Sequence, residues 1–449
     1  MNDIDFAYKS VSHIHKKANL NELVLAHHTQ IEEIQNIPCF FTGEIVDSAL
    51  TAKCLMTVSK VVRSSFAPIP VRLLDPIVTT GKEKMRFEGF SSCNGVYARL
   101  DILEQGLDGQ FIASGTTNVD FNEPMINALN AVKKQELMLL AVGDNEVRIQ
   151  TEKTDVVEKK VKLPERWLKG LTSVQLYMAD MKEVFKLNKM QTIQFFNQIP
   201  KGKSTAVLYA SYIAGRLQLS PIAKPHSIRI GGIERLRLLE GLLPFIDVMC
   251  LYQADDGESL AVQLYMGHLH MTLAISPDYY RGFSGEGNVL DKLTDIPVEF
   301  IYAFNHLLKS NETFDPTLLS FEYDLDFATT EQMTASLSAM GLLGFDLDGY
   351  QHYYRRLPFK MDRILSLNPR LKNAKKLSNS QDVQLIKNTP TELEARVTGT
   401  DVTHTVLIKH GKPQCTCQWF AKHQTKRGLC KHILSVKMMT EQTVNNTIQ

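Results

Sequence analysis

Three cysteines and one histidine near the C-terminal end have the types and spacing of metal ligands. One residue separates Cys415 from Cys417, twelve residues follow, and one residue separates Cys430 from His432. Structural zinc takes four sulfur or nitrogen ligands at tetrahedral corners, with Zn–S near ~2.3 Å. Ligands two positions apart in an extended segment point the same way, so each pair can supply one edge of the tetrahedron. We therefore predict one structural zinc ion with no open position for a catalytic water.

The flanking sequence indicates the elements that position these ligands. Residues 404–409 alternate and are β-branched, which predicts a strand leading to the first pair. Residues 429–438 repeat apolar positions at intervals of three and four, which predicts a helix that carries the second pair. His410 and His423 are rival nitrogen donors, but neither has the paired spacing. Nearby cations that can offset the negative charge of three thiolates on Zn²⁺ are Lys412, Lys422, Lys426, Arg427 and Lys431.

The pattern Cys415-x-Cys417-x12-Cys430-x-His432 resembles the CxCxnCxH signature of the SWIM zinc finger, over roughly residues 383–440. More loosely, residues 115–122, 161–169, 282–287 and 368–371 resemble the stand-alone bacterial SWIM zinc finger proteins. The finger resemblance implies DNA binding or protein–protein interaction. The looser one implies an adaptor role beside a protein partner such as an AAA-type ATPase system.

Composition indicates a soluble globular protein. Of 449 residues, 44% are apolar and 22% charged. The N-terminal residues lack the apolar segment of a signal peptide, and no apolar run approaches the ~20 residues that span a bilayer. Seven cysteines, an odd number, argue against a disulfide framework. These features predict a cytoplasmic protein with no membrane contact, in which Cys39, Cys54, Cys93 and Cys250 are small buried side chains.

The formal net charge of +1 hides an asymmetry between two parts of the chain. Residues 351–449 contain 17 Lys and Arg against 6 Asp and Glu, a net charge of +11. The preceding residues contain 33 against 43, a net charge of −10. A basic C-terminal region favours a polyanionic partner. The alternative is that this region meets the acidic body of its own chain.

The order of elements predicts an α+β protein of mixed antiparallel sheets and helices, ending in a small zinc-stabilised ββα-type module. We predict four regions: 1–135 and 136–285, both α+β; 286–380, mainly helical; and 381–449, the finger. In the second region, residues 174–178 are expected to form a strand, and 248–252, 260–266 and 269–275 a three-stranded meander. In the third, a helix over 330–340 precedes a hairpin with Arg355-Arg356 on its second arm, interpreted either as a winged-helix-like element or as a solvated hairpin.

No catalytic residues and no small-molecule substrate emerge from the remaining motifs. Carboxylates that alternate with apolar residues around 322–326 and 346–348 are interpreted as the wet faces of strands, not as a two-metal site. The leading hypothesis is a non-enzymatic zinc-binding protein whose finger contacts nucleic acid or protein. Trp419 and Phe420 can stack on a base or form the small core of the finger. The predicted contact residues are Trp419, Lys422, Lys426, Arg427 and Lys431. The alternative is a transposase- or nuclease-type enzyme with an accessory finger.

Overall fold

A computed structural model describes most of the chain. The described residues are 13–17, 20–24, 39–66, 76–119, 121–134, 136–143, 146–151, 153–159, 165–202, 207–254, 257, 259–276, 282–285, 312–339, 341–355, 369–380, 382–389, 391–399, 402–424 and 429–445. They group into two compact units. Unit 1 comprises Met1–Gly170, Tyr177–Phe283 and Arg355–Pro358, and unit 2 comprises Leu171–Leu176, Ser284–Tyr354 and Phe359–Gln449.

The strands and helices are numbered in chain order. Strands β1 to β25 are His13–Lys17, Leu20–Val24, Cys39–Ile45, Ile77–Thr80, Lys84–Phe90, Val96–Leu103, Leu107–Phe111, Gly115–Asn118, Met138–Gly143, Glu146–Thr151, Asp155–Lys159, Met181–Asn188, Leu208–Ile213, Arg216–Ser220, Ile228–Ile230, Val248–Ala254, Leu260–Met266, Leu269–Ile275, Thr313–Phe314, Leu343–Asp346, Gln351–Tyr354, Val383–Asn388, Glu392–Thr398, Thr403–Lys409 and Lys412–Cys415. Helices α1 to α9 are Ser48–Arg63, Glu123–Ala131, Glu165–Ala179, Lys189–Phe196, Pro316–Glu322, Phe327–Ala339, Pro369–Asn379, Gln418–His423 and Lys431–Asn445. Three 3₁₀ helices are Glu104–Gly106, Ile233–Phe245 and Gly282–Gly285.

Antiparallel sheets dominate unit 1. The largest has eight strands in the order β12-β16-β17-β18-β6-β5-β4-β8, and a five-stranded sheet has the order β11-β10-β9-β3-β7. Smaller sheets are β14-β13-β15 and the hairpin β1-β2. The predicted meander is confirmed as β16, β17 and β18. The fold class α+β is likewise confirmed, since helices accompany several antiparallel sheets.

Helix α1 shows why these sequences form helices on the sheets. The Asp47 carboxylate caps its first turn by accepting from the Leu50 N–H at 3.0 Å. Buried side chains recur along one side of the helix, among them Leu55, Val58 and Val62. The helix packs on β5 and β6 and lies beside α2 and the 3₁₀ helix Ile233–Phe245.

One face of the eight-stranded sheet carries buried polar side chains in adjacent strands. Arg86 lies opposite Asp101, and Glu88 lies opposite Arg99. The Arg99 Nε lies 2.8 Å from the nearer Asp101 oxygen, and neither side chain is exposed. Buried charges require such pairing because an isolated charge is strongly disfavoured away from water.

In unit 2, a three-stranded sheet β19-β21-β20 lies in sequence around α5 and α6, and a four-stranded sheet β22-β23-β24-β25 forms the finger. Helix α9 packs against that sheet and against α7. The sheet and helices enclose a small core that includes Ala395, Val397, Val406 and Ile433. This module matches the predicted zinc-stabilised element at the C-terminal end in position and class.

Three local predictions are wrong. Residues 174–178 belong to α3, because the buried positions Leu171, Val174 and Met178 recur at helical spacing. The hairpin β20–β21 is not solvated, since every residue of β20 is buried and so is His352. Arg355 is also buried and therefore cannot serve as the exposed cation of a wing, while Arg356 lies outside the described residues. Residues 322–326 form the end of α5 and a turn, not a strand.

The four-region division stays a prediction, although the eight-stranded sheet draws strands from both of the first two regions. Among the described residues, no helix combines the length and apolar character that crossing a bilayer requires.

Candidate metal centre

The four predicted ligands converge at one place in unit 2. One ligand atom from each of Cys415, Cys417, Cys430 and His432 lies within 4.8 Å of all the others, and the four side chains are buried. Tetrahedral zinc with these ligands has S···S and S···N edges of roughly 3.5–3.8 Å. A small contraction of the group therefore gives that geometry. In the described part of the chain, no other group of three or more His, Cys, Asp or Glu side chains converges in this way.

A tight hairpin positions the first pair. The two-residue turn between β24 and β25 consists of His410 and Gly411, with φ of 47° and 74°. Two positive φ values mark the turn type whose twist matches that of antiparallel strands. The hairpin sets Cys415 opposite Val406 at the end of β25. The Thr416 N–H donates to the Thr405 carbonyl at 3.1 Å and continues the pairing past the first ligand.

Both ligand pairs end at the start of a helix. Cys417 is the N-cap of α8, and its Sγ accepts from the Phe420 N–H at 3.4 Å. Cys430 immediately precedes α9, and its carbonyl accepts from the Leu434 N–H at 3.1 Å. Helix N-termini present unpaired N–H groups and favour negative charge, so both positions suit a thiolate.

The three thiols cannot all ionise without a cation. Hydrogen bonds from Cys415 and Cys430 hold the pKa of Cys417 far below its usual range. Hydrogen bonds with Cys417 and Cys430, together with burial, raise the pKa of Cys415 well above its usual range. For Cys430 the bond with Cys415 lowers the pKa, but the bond with Cys417 and burial outweigh it and raise the pKa to about 11. The cluster accepts one thiolate easily, and a divalent ion would supply the charge that further thiolates need.

His432 faces the thiols with its Nδ1 atom, which lies 3.8 Å from the Cys415 Sγ. Its Nε2 is buried and has no hydrogen-bond partner among the described residues. The His404 ring packs against it, with ring centroids 4.3 Å apart. His404 therefore fixes the orientation of the imidazole by contact, a role that sequence reasoning missed although it placed His404 on the correct strand.

The predicted contact residues have different environments. Lys422 is exposed on α8, and Lys431 is half-buried at the start of α9. Lys426 and Arg427 lie outside the described residues. Trp419 is half-buried and packs against the finger core. The Arg370 guanidinium lies 4.6 Å from the Trp419 ring centroid, and the His423 ring centroid lies 4.5 Å away.

Comparison with known proteins agrees with this geometry. Residues 404–441 match the family model described as SWIM zinc finger, which confirms the resemblance of this segment to that finger. No curated protein matches the chain.

Two solved structures show a weak likeness to about half of the chain. The proliferating cellular nuclear antigen of Entamoeba histolytica is 11% identical, with a TM-score of 0.36, and the match covers 54% of this chain and 99% of that one. The PCNA2–PCNA3 complex of Sulfolobus tokodaii is 10% identical, with a TM-score of 0.38 and coverage of 53% and 99%. Similarity at this level assigns no function.

Proposed function

We propose that this chain is a non-enzymatic, zinc-binding adaptor or regulator whose SWIM-type finger, together with α7, binds DNA. The observation that carries the zinc assignment is the convergence of Cys415, Cys417, Cys430 and His432 within 4.8 Å. Four protein ligands fill a tetrahedral zinc ion, so the ion would stabilise the module and leave no position for a catalytic water.

Exposed lysines support a DNA partner. Lys372, Lys375 and Lys376 are exposed on α7, and their spacing places them along one side of the helix. Lys412 and Lys422 are also exposed, on β25 and α8. The described residues include no carboxylate that pairs with any of these five lysines. Such cations are available to phosphates, and nucleic-acid affinity depends chiefly on such contacts.

Other lysines of the finger are neutralised within it. Glu392 pairs with Lys409 at 2.9 Å and also with Lys387. Hydrogen bonds from Lys387 and then Lys409 lower the pKa of Glu392 to about 2. The ring of Trp419 is already covered by Arg370, so we assign the contact to lysines and not to base stacking.

Metal analysis tests the zinc assignment. Purified protein is expected to contain about one zinc per chain, as a four-ligand site implies. Cys430→Ser should lose the zinc, whereas Cys93→Ser, which changes a buried thiol in unit 1, should retain it. Equal zinc content in both variants would contradict the assignment.

A salt series tests DNA binding. Affinity for duplex DNA should fall steeply as salt rises, with a slope near −0.9 per phosphate contacted. The variant Lys372→Glu/Lys375→Glu/Lys376→Glu should reduce the slope by about three contacts. The matched control Lys133→Glu/Lys134→Glu/Lys201→Glu changes exposed lysines of unit 1 and should leave it unchanged. Absence of binding at low salt would redirect the proposal to a protein partner, for which the AAA-type system implied by resemblance stays a prediction.

The non-enzymatic assignment has its own test. Incubation of the protein with DNA and Mg²⁺ or Mn²⁺ should leave the DNA intact. Cleavage that an Asp346→Asn change abolishes would instead favour the transposase- or nuclease-type alternative.

A further inference from the structure

Unit 1 has an open groove that is distant in sequence from the finger. It lies between α1, α2 and the 3₁₀ helix Ile233–Phe245 and has a volume of about 710 Å³. Its walls include Met56 of α1, Ile126 and Leu129 of α2, and Leu238 and Leu242 of the 3₁₀ helix. Leu129, Leu238 and Leu242 are buried, so the base of the groove is apolar.

The wall formed by α1 is the outer side of that helix. Groove residues recur on it at intervals of three and four, as expected for one side of a helix: Ala49, Lys53, Met56, Lys60 and Arg63. Helix α1 has 16 residues, so this side is about 24 Å long. That length matches an extended segment of about seven residues or a helix of about the same length as α1.

The charge of the groove is uniformly positive. Lys53, Lys60 and Arg63 line it, and no Asp or Glu is among its lining residues. Arg63 is held at 3.0 Å by Glu123 and donates to the Phe121 carbonyl. Lys53 and Lys60 are exposed, and the Lys53 ammonium lies 5.7 Å from the ring centroid of Phe245, which is itself 39% exposed.

We propose that this groove binds an acidic, amphipathic peptide segment of a partner protein. Apolar side chains of the peptide would fill the base formed by Leu129, Leu238 and Leu242, and its carboxylates would pair with Lys53 and Lys60. This is the arrangement by which helical or extended ligands occupy apolar grooves with charged rims. Nucleic acid would leave the apolar base without a partner, and an acyl chain would remain exposed to water in so open a groove.

The groove offers a steric variant that leaves the charges in place. A Cβ added to Gly241, which lines the groove, would have no heavy atom within 4 Å. Gly241→Phe therefore places a ring in the groove without displacing its neighbours. Gly202 also has open space around an added Cβ and lies outside the groove, so Gly202→Phe is the matched control.

Fluorescence polarisation with the full chain tests the proposal. The probe is a labelled synthetic helix with Leu and Phe at positions i, i+3, i+4 and i+7 and Glu at most others. We expect saturable binding, weakened at least tenfold by Lys53→Glu/Lys60→Glu and by Gly241→Phe. Lys201→Glu/Lys224→Glu and Gly202→Phe should bind like the unchanged protein. Circular dichroism before each titration confirms that the variants are folded.

Three results would overturn the proposal. Equal binding when Leu and Phe of the probe are replaced by Ser would show simple charge attraction. Equal binding by the groove variants and the unchanged protein would place the probe elsewhere. Binding to vesicles of anionic phospholipid, lost in the groove variants, with none to the peptide would identify a membrane surface as the occupant.

Discussion

The Arg370 guanidinium lies 4.6 Å from the centroid of the Trp419 ring and donates from Nη1 to the Leu429 carbonyl at 3.2 Å. One side chain from the start of α7 thus contacts the residues that follow the first ligand pair and the residue that precedes Cys430. The loop between the ligand pairs is anchored at both ends by a residue more than forty positions upstream. Helix α7 is therefore part of the finger and not a linker to it.

Replacing Arg370 should loosen the finger without removing a ligand. Arg370→Ala removes a half-buried cation–π contact and a charged hydrogen bond, which together contribute about 2 kcal/mol. Arg370→Lys keeps the charge but loses the planar stacking and should fall between the two. Release of zinc to a colorimetric chelator should be faster in the order Ala, Lys, Arg. Lys372→Ala, at an exposed position of the same helix, is the control, and equal rates in all four proteins would contradict this role for Arg370.

Chelation of zinc should unfold the finger selectively. The finger core contains only a small set of buried side chains, so its folding is expected to depend on the ion. After chelator treatment, amide hydrogen exchange of residues 404–441 should accelerate strongly. Strands β5, β6 and β17, which are fully paired within the eight-stranded sheet, should keep their protection. Unchanged exchange in the finger would show that its fold does not require zinc.

The buried pair of Arg355 and Glu88 should contribute more than an exposed pair. Their atoms lie 2.5 Å apart, and neither side chain is exposed. Because each single change leaves a buried charge, Arg355→Met or Glu88→Gln should each cost about 3–5 kcal/mol of unfolding free energy. The double variant should cost much less than the sum, because the amide oxygen introduced by Glu88→Gln can still accept from the Tyr97 hydroxyl. Denaturant unfolding measures the cycle, and additive costs would show that the two residues are not coupled.

An exposed pair provides the comparison for that cycle. Arg63 and Glu123 lie 3.0 Å apart, with side chains 31% and 73% exposed. The same cycle at this pair should yield a coupling of no more than about 1 kcal/mol, because water screens the charges. Similar couplings at both pairs would contradict the importance of burial.

The sequence predicts the finger well because its chemistry is local. The spacing of Cys415 to His432, the strand at 404–409 and the helix after Cys430 all follow from short patterns. Contacts between distant residues leave no such pattern. Nothing near Arg370 indicates that it packs on Trp419, and Arg355 reads as a surface cation until tertiary packing brings it to Glu88. The period of residues 174–178 is ambiguous between strand and helix, and packing decides for the helix.

Stability should depend on pH through His352. Burial lowers the pKa of His352 to about 4, although Asp315, the Gly344 backbone and Asp346 act in the opposite direction. The unfolded chain takes up a proton near the ordinary pKa of about 6.5, so it binds more protons than the folded chain between pH 6.5 and about 4. Stability is therefore full above pH 6.5 and falls by roughly 3 kcal/mol as pH drops to about 4.

A variant isolates this contribution. His352 packs between Phe314 and Phe345, with ring centroids 5.6 and 5.0 Å away, so Phe fits the site in size and shape. Denaturant unfolding of His352→Phe and of the unchanged protein, measured from pH 7.5 to pH 4, should show a smaller acid loss in the variant. Titration of the zinc ligands affects both proteins equally and cancels in the difference. Parallel pH profiles would mean that His352 takes up its proton equally in the folded and unfolded chains.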